Sequence, residues 1–275
     1  HLKNPRLSKL IEFYNTWYVP NNMALIIVGD FDAETTKPMI EETFGRLQYK
    51  ELPERPTYPK TSFAGNPKHK FKVGYYPMVV WAYDGVKMTD KDLLPLQFVV
   101  SLLNNSTNTG LLDKLNIDGT VSSVGASVDA RRDQGRILIQ AIPYFDANQQ
   151  TYESNAATEK IVNAEINRLK MGDIPDWLIQ TVKAEYAQNY KLAFESSDTK
   201  MDALVSSFIY NTPIDDIFTE NDRVQALTKA DIQRIAKKYF DADHMTLTFD
   251  EGDPKKNKLA KPAIKPLELL NSQET

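Results

Sequence analysis

The sequence predicts an α+β fold: a largely antiparallel sheet packed with helices, in a chain that carries part of a duplicated domain. Three observations lead there. Strand-like segments come in neighbouring pairs, with Asp133-Gln134-Gly135 as a hairpin-turn candidate between one such pair. Helical segments are grouped in the second half of the chain, so the strict βαβ alternation of a doubly wound parallel sheet is missing. A helix–turn–strand phrase also occurs twice. Near the start, a helix ends at Tyr18-Val19, a polar turn follows, and Met23-x-Leu25 leads to Gly29-Asp30. Near the end, a helix finishes at Tyr239-Phe240, and Met245-x-Leu247 leads to Gly252-Asp253. Helix followed by strand is common by chance. The shared order of Tyr, Met-x-Leu and Gly-Asp favours duplication, and its long period means repeated domains rather than a solenoid.

The elements follow in order. Leu7, Leu10, Ile11 and Tyr14 lie at i, i+3, i+4 and i+7, one apolar face of a helix. Pro20 with Asn21-Asn22 ends it, because proline cannot continue a helix and Asn tolerates turn geometry. Residues 23–28 form an unbroken apolar run of strand length, expected to be buried on both faces. Asp32 is the expected N-cap of a second helix carrying Met39, Ile40 and Phe44. Pro53, Pro56, Pro59 and Pro67 then mark an extended connector and a domain boundary.

Residues 71–76 and 79–86 are aromatic and β-branched, as strands are. Thr89 and Asp92 announce a helix that admits Pro95 only in its first turn, and its apolar residues surround it on most sides. Residues 104–110 break it, and Leu111, Leu112 and Leu115 suggest a short helix. Strands are expected over 121–128 and 136–142. From Asn148 the chain reads as helical: Val162, Ile166 and Leu169 share a face, and Gly172 suits a helix C-terminus. Pro175 opens the next helix, with Leu178, Val182 and Tyr186 on one face. Ser197 is the expected cap of a third, carrying Met201, Leu204, Val205 and Phe208, and Thr212-Pro213 interrupts it. Thr228 with Asp231 is a capping-box pattern before Ile232, Ile235, Ala236 and Tyr239. The expected organisation is therefore the tail of one domain over 1–48, a Pro-rich linker over 49–70, a complete domain over 71–252, and a linker or tail over 253–275.

The 275 residues are 41% apolar and 25% charged, ordinary for a globular protein, and the formal charge of −4 gives no basic patch for nucleic acid. No apolar run is long enough to span a bilayer. The absence of Cys excludes disulfides, thiolate metal ligands and Cys nucleophiles. His1, His69 and His244 lie in different segments with no second His within helical reach, so solvated or loop histidines are the expected reading. No glycine-rich phosphate loop and no Gly-x-Ser-x-Gly elbow occurs. Asp241, Asp243, Asp250, Glu251 and Asp253 lack the spacing of a calcium loop, which favours a solvated turn. Arg131-Arg132-Asp133 reads as an exposed turn. Tyr75, Tyr76, Trp81 and Tyr83 read as core aromatics rather than a binding surface. Asn105-Ser106-Thr107 is a glycosylation acceptor pattern only in a eukaryotic secretory setting. No catalytic, metal or cofactor-binding residue is assigned.

The opening phrase FYNTWYVPNNMALIIVGDFD, followed by a helix ending in FGRL, resembles the end of a catalytic-type domain in the pitrilysin/insulinase family of zinc metallopeptidases. The later chain is similar to that family's second domain through the apolar helix at 93–103, the Thr109-Gly110-Leu111-Leu112 step, Asp133-Gln134-Gly135, Glu195-Ser196 and residues 227–232. The resemblance implies a clamshell peptidase, with zinc on a His-x-x-Glu-His motif whose Glu serves as general base. Those residues are not in this sequence and are expected upstream of His1. It also implies that a segment like 111–120 can supply an Arg and a Tyr to substrate in the catalytic half's partner; Asp113 and Thr120 stand there instead. The expected function is thus the non-catalytic end of the N-terminal half of a zinc endopeptidase, supporting the zinc domain and walling the peptide chamber. The alternative is a non-catalytic scaffold or peptide-binding homologue partnering an active subunit. Zinc is expected in the full-length parent and not in this chain. The expected partners are a peptide or protein substrate and the remaining domains or a paired subunit, with no nucleic acid and no membrane span. Family habit points to the periplasm.

Overall fold

The computed structural model describes residues 5–60, 62–72 and 74–253. The chain divides into two compact units. Among the described residues the smaller holds 5–25 and Phe31–Pro56, and the larger holds Ile26–Asp30 and 57–253.

In the smaller unit, α1 (Leu7–Trp17) ends in a 3-10 turn over Pro20–Asn22, where Asn22 Nδ2 donates to the Trp17 carbonyl at 2.8 Å. The start of the Pro-rich stretch folds back on it. Lys50 N donates to Asn21 Oδ1 at 3.1 Å, and the Arg55 guanidinium lies 5.4 Å from the Trp17 ring centre. Helix α2 (Ala33–Phe44) starts as expected, the Asp32 carboxylate accepting from Thr35 N at 2.8 Å. That hydrogen bond holds the Asp32 carboxyl below its usual range.

Neither α1 nor α2 has a buried residue. Leu7, Leu10, Ile11 and Tyr14, the face the periodicity picks out, are 70%, 52%, 51% and 60% exposed. The apolar run at 23–28 is a correction. It has no ladder partner among the described residues, and Met23 and Leu25 are each 56% exposed. Composition can show that a segment suits a buried strand, but a strand forms only where another strand takes its N–H and C=O groups.

The larger unit is built on a five-stranded sheet in the order β1-β7-β2-β4-β3, from β1 (Lys68–Lys72), β2 (Met78–Asp84), β3 (Ser123–Ala130), β4 (Gly135–Ile142) and β7 (His244–Asp250). Every pairing is antiparallel except β1 with β7. A small ladder joins β5 (Phe145–Asp146) to β6 (Thr151–Tyr152). The helices are α3 (Leu93–Leu103), α4 (Leu111–Ile117), α5 (Asn155–Met171), α6 (Asp176–Ala193), α7 (Ser197–Tyr210), α8 (Ile214–Gln225) and α9 (Lys229–Phe240).

The core forms where alternate residues of β2 (Val79, Trp81, Tyr83) and β4 (Ile137, Ile139, Ala141) meet the helices. Helix α3 buries seven of its eleven residues and carries Pro95 in its first turn, where no intrahelical N–H is needed. Helix α9 has the expected capping box: Asp231 N donates to Thr228 Oγ1, and Thr228 N donates to Asp231 Oδ2. Gly172 closes α5 at φ 74°, a conformation that Gly adopts without strain.

Several bounds differ from expectation. The first strand starts at Lys68, not Phe71, because its partner β7 is remote in sequence. Residues 148–152 form a turn and β6, so α5 begins only after its cap Ser154. Helix α7 is capped by Ser196, one residue before the expected Ser197. Helix α8 was not expected as a separate element. The two helix–strand phrases also differ in surroundings, since β7 is flanked by β1 and β2 whereas residues 23–28 pair with nothing described.

Candidate functional site

The resemblance points to a segment like 111–120, which holds α4 and the turn after it, for substrate-contacting side chains in the catalytic half's partner; here the geometry of that segment is structural. Asp113 is 1% exposed. One carboxylate oxygen accepts from Asn104 Nδ2; the other accepts from Asn105 N and Gly110 N, each at 2.9 Å. The carboxylate thus ties the end of α3 to the start of α4. The turn between them admits only glycine at 110, because a Cβ there would lie 2.3 Å from the Leu103 carbonyl oxygen. Asn105 Oδ1 accepts from Thr107 and Thr109, so the Asn-Ser-Thr pattern is a hydrogen-bonded loop. Thr120 is exposed, and its N–H donates to the Leu115 carbonyl at 3.0 Å.

The other candidates are spread over the larger unit. His69 sits on the edge strand β1, opposite Leu247. His244 stacks on Tyr83 with ring centres 4.5 Å apart, and burial pushes its pKa down. His1 lies outside the described residues. Among the described residues no three His, Asp or Glu side chains converge as a metal-holding group. The acidic residues at the end of the chain are dispersed. Asp241 pairs with Lys170 at 2.8 Å, Asp243 accepts from Gly65 N and Asn66 Nδ2, and Asp250 pairs with Lys70 at 2.7 Å. Trp81 and Tyr83 are core residues, while Tyr75 is 91% exposed and Tyr76 is exposed as well. Arg131 pairs with Asp129 at 2.6 Å in the exposed β3–β4 turn.

Two buried polar groups had no sequence signal. Asp92, at the N-terminal boundary of α3, does not cap it; its carboxylate accepts from Lys238 Nζ at 2.5 Å and from Tyr239 OH at 3.0 Å. Burial pushes the Asp92 carboxyl up, and the bonds from Lys238 and Tyr239 outweigh it, so its pKa lies below the usual range. Lys183 is 9% exposed and donates to the carbonyls of Gln225 and Leu227, both at 2.7 Å. It thereby satisfies carbonyls that the end of α8 leaves open.

Residues 6–186 match the family model described as the peptidase M16 inactive domain. Over 50 residues the chain is 42% identical to Protein YhjJ of Escherichia coli, a stretch that is 18% of this chain and 10% of that protein. Its fold is similar to a protease from Helicobacter pylori, with a TM-score of 0.78 at 19% identity, covering 90% of this chain and 60% of that one. It is also similar to the first half of the periplasmic protease PqqL from Escherichia coli, with a TM-score of 0.68 at 17% identity, covering 89% of this chain and 55% of that structure. The chain thus spans a tenth of the curated relative it matches and little more than half of these solved chains.

Proposed function

The chain belongs to the peptidase M16 inactive-domain family, and from that premise we propose that it is the non-catalytic end of one half of a longer zinc-dependent endopeptidase. In this reading, residues 1–48 complete a preceding zinc-type domain, and residues 71–252 form a helper domain that supports it and walls the peptide chamber. The observation that carries the reading is a single family match running from the smaller unit into α6 of the larger one.

The physical chemistry of residues 5–48 supports it. Two amphipathic helices and an apolar strand-length run that together bury almost nothing are unstable alone, because helices this short draw their stability from packing an apolar face. A preceding domain would supply that packing and the ladder that residues 23–28 lack. Asp113 and Thr120 support a helper role, since the first is consumed in holding α3 to α4 and neither is an Arg or Tyr that could reach a carbonyl. The described residues do not fit a zinc site, because His69 and His244 belong to separate strand positions without a third ligand. In this proposal zinc and the peptide bond belong to a longer protein, and a periplasmic setting like that of PqqL is part of it.

Elemental analysis tests this directly. The purified 275-residue chain is expected to hold no stoichiometric zinc after dialysis and to leave an unfolded protein substrate intact. The longer protein is expected to hold zinc and to cleave that substrate. Zinc retained by the chain alone, or a longer protein with a degraded His-x-x-Glu-His motif, would overturn the reading; the second result would favour a non-catalytic partner subunit.

A further inference from the structure

Strand β3 is one edge of the five-stranded sheet, and its sequence, SVGASVDA, carries no Lys or Pro. Its residues are small, and its one charge, Asp129, is paired with Arg131 and Arg136; a free edge of small residues invites another strand to pair with it. Alternate residues of an antiparallel edge strand turn their N–H and C=O away from the sheet. Val124 is such a residue, and one side chain takes both of its groups. Val124 N donates to Asn116 Oδ1 at 2.7 Å, and Asn116 Nδ2 donates to the Val124 carbonyl at 2.9 Å. The next outward residue, Ala126, donates its N–H to Asn104 Oδ1 at 3.4 Å. Asn104 is held in place by Asp113. The outward positions that remain are Val128 and Ala130, beside the hairpin.

The opposite edge is protected differently. Lys68, Lys70 and Lys72 on β1 share one face, opposite Thr246, Thr248 and Asp250. Lysines at such positions discourage an added strand by stranding charge in the new interface.

We propose that Asn116 and Asn104 are edge guards: their side-chain amides occupy both main-chain groups of Val124 and the N–H of Ala126, and so close this edge of the sheet to an extended peptide or to a second copy of the chain. Asn116 imitates one residue of a neighbouring strand without offering a further edge. The inference concerns the sheet alone and stands or falls independently of the zinc-peptidase reading.

The test compares the wild-type chain with Asn116→Ala by amide hydrogen exchange and by binding of a labelled peptide with the β4 sequence GRILIQAI. Loss of the guard is expected to speed exchange at the Val124 amide about tenfold, the scale of one lost hydrogen bond. The Gly125 amide, which faces β4, is expected to change little. The peptide is expected to bind the variant about tenfold or more tightly than wild type. An unchanged Val124 rate, or a folded variant that binds the peptide no better, overturns the proposal. If Asn116→Ala does not fold, Asn116→Asp decides. It keeps an acceptor for Val124 N–H and removes the donor to its carbonyl, so peptide binding should rise above wild type; binding equal to wild type overturns the proposal.

Discussion

Asp113→Ala is expected to destabilise the larger unit by about 2–4 kcal/mol, the scale of one buried and two half-buried neutral donors losing a shared acceptor. The carboxylate is 1% exposed and accepts from one side-chain amide and two main-chain N–H groups. After its removal the buried Gly110 N–H and the half-buried Asn104 and Asn105 donors lose their shared acceptor, and the turn between α3 and α4 loses its tie. A urea titration followed by far-UV circular dichroism reads the loss as a lower midpoint at unchanged slope. Asp113→Arg, which restores the residue type implied for a substrate-contacting copy, is expected to be at least as destabilising and to confer no peptidase activity. A fully stable Asp113→Ala would mean that the junction is held by packing alone, and the position would again be open to a functional role.

The second large effect is at Asp92. Asp92→Ala removes the acceptor of the Lys238 ammonium and of the Tyr239 hydroxyl, and Tyr239 is 7% exposed. Hydrogen bonds to charged groups on this scale are worth about 2–3 kcal/mol together, because the half-exposed Lys238 can return to water while the phenol cannot. For a domain of this size that is roughly 5–10 °C in Tm by calorimetry. The pH dependence has a definite sign. The Asp92 pKa is lowered in the folded protein, so its contribution is present above the ordinary Asp pKa of about 4 and is lost as pH falls through the folded value. At Asp129 burial raises the pKa and the bonds from Arg131 and Arg136 outweigh it, and at Asp231 the bonds from Thr228 lower it, so both act in the same direction. Wild-type chain should lose stability below about pH 4, and Asp92→Ala should lose less over that interval. Parallel pH profiles for the two proteins would remove Asp92 as a source of acid sensitivity.

What the sequence made legible is what short-range chemistry controls. Asp32, Gly172 and the Thr228–Asp231 box announce helix ends because each capping group bonds within a few residues of itself. The apolar envelope of α3 announces burial, and the strands at β2 and β4 follow from residue type. What stayed hidden depends on remote partners. The parallel pairing of β1 with β7 joins segments from opposite ends of the larger unit. Asp92 looks like a helix cap and is instead the acceptor for residues on α9. Helix α8 did carry a signal in Ile214, Ile217, Phe218 and Val224, but Thr212-Pro213 directly before it reads as an interruption, whereas Pro213 is its N-cap. Residues 23–28 read as strand-like in composition, yet they form no strand and have no partner among the described residues. The family membership was legible because its motifs are spread along the chain in a fixed order, and order survives where individual matches are loose.

Amide hydrogen exchange over residues 23–28, compared between the 275-residue chain and the longer protein, tests most directly whether residues 1–48 are the closing piece of a preceding domain. The amides of Leu25, Ile26 and Ile27 are expected to exchange freely in the chain alone and to become strongly protected in the longer protein, as central-strand amides are. Equal and rapid exchange in both would contradict the account, because the segment would then be a surface strand-former that no neighbouring sheet takes up.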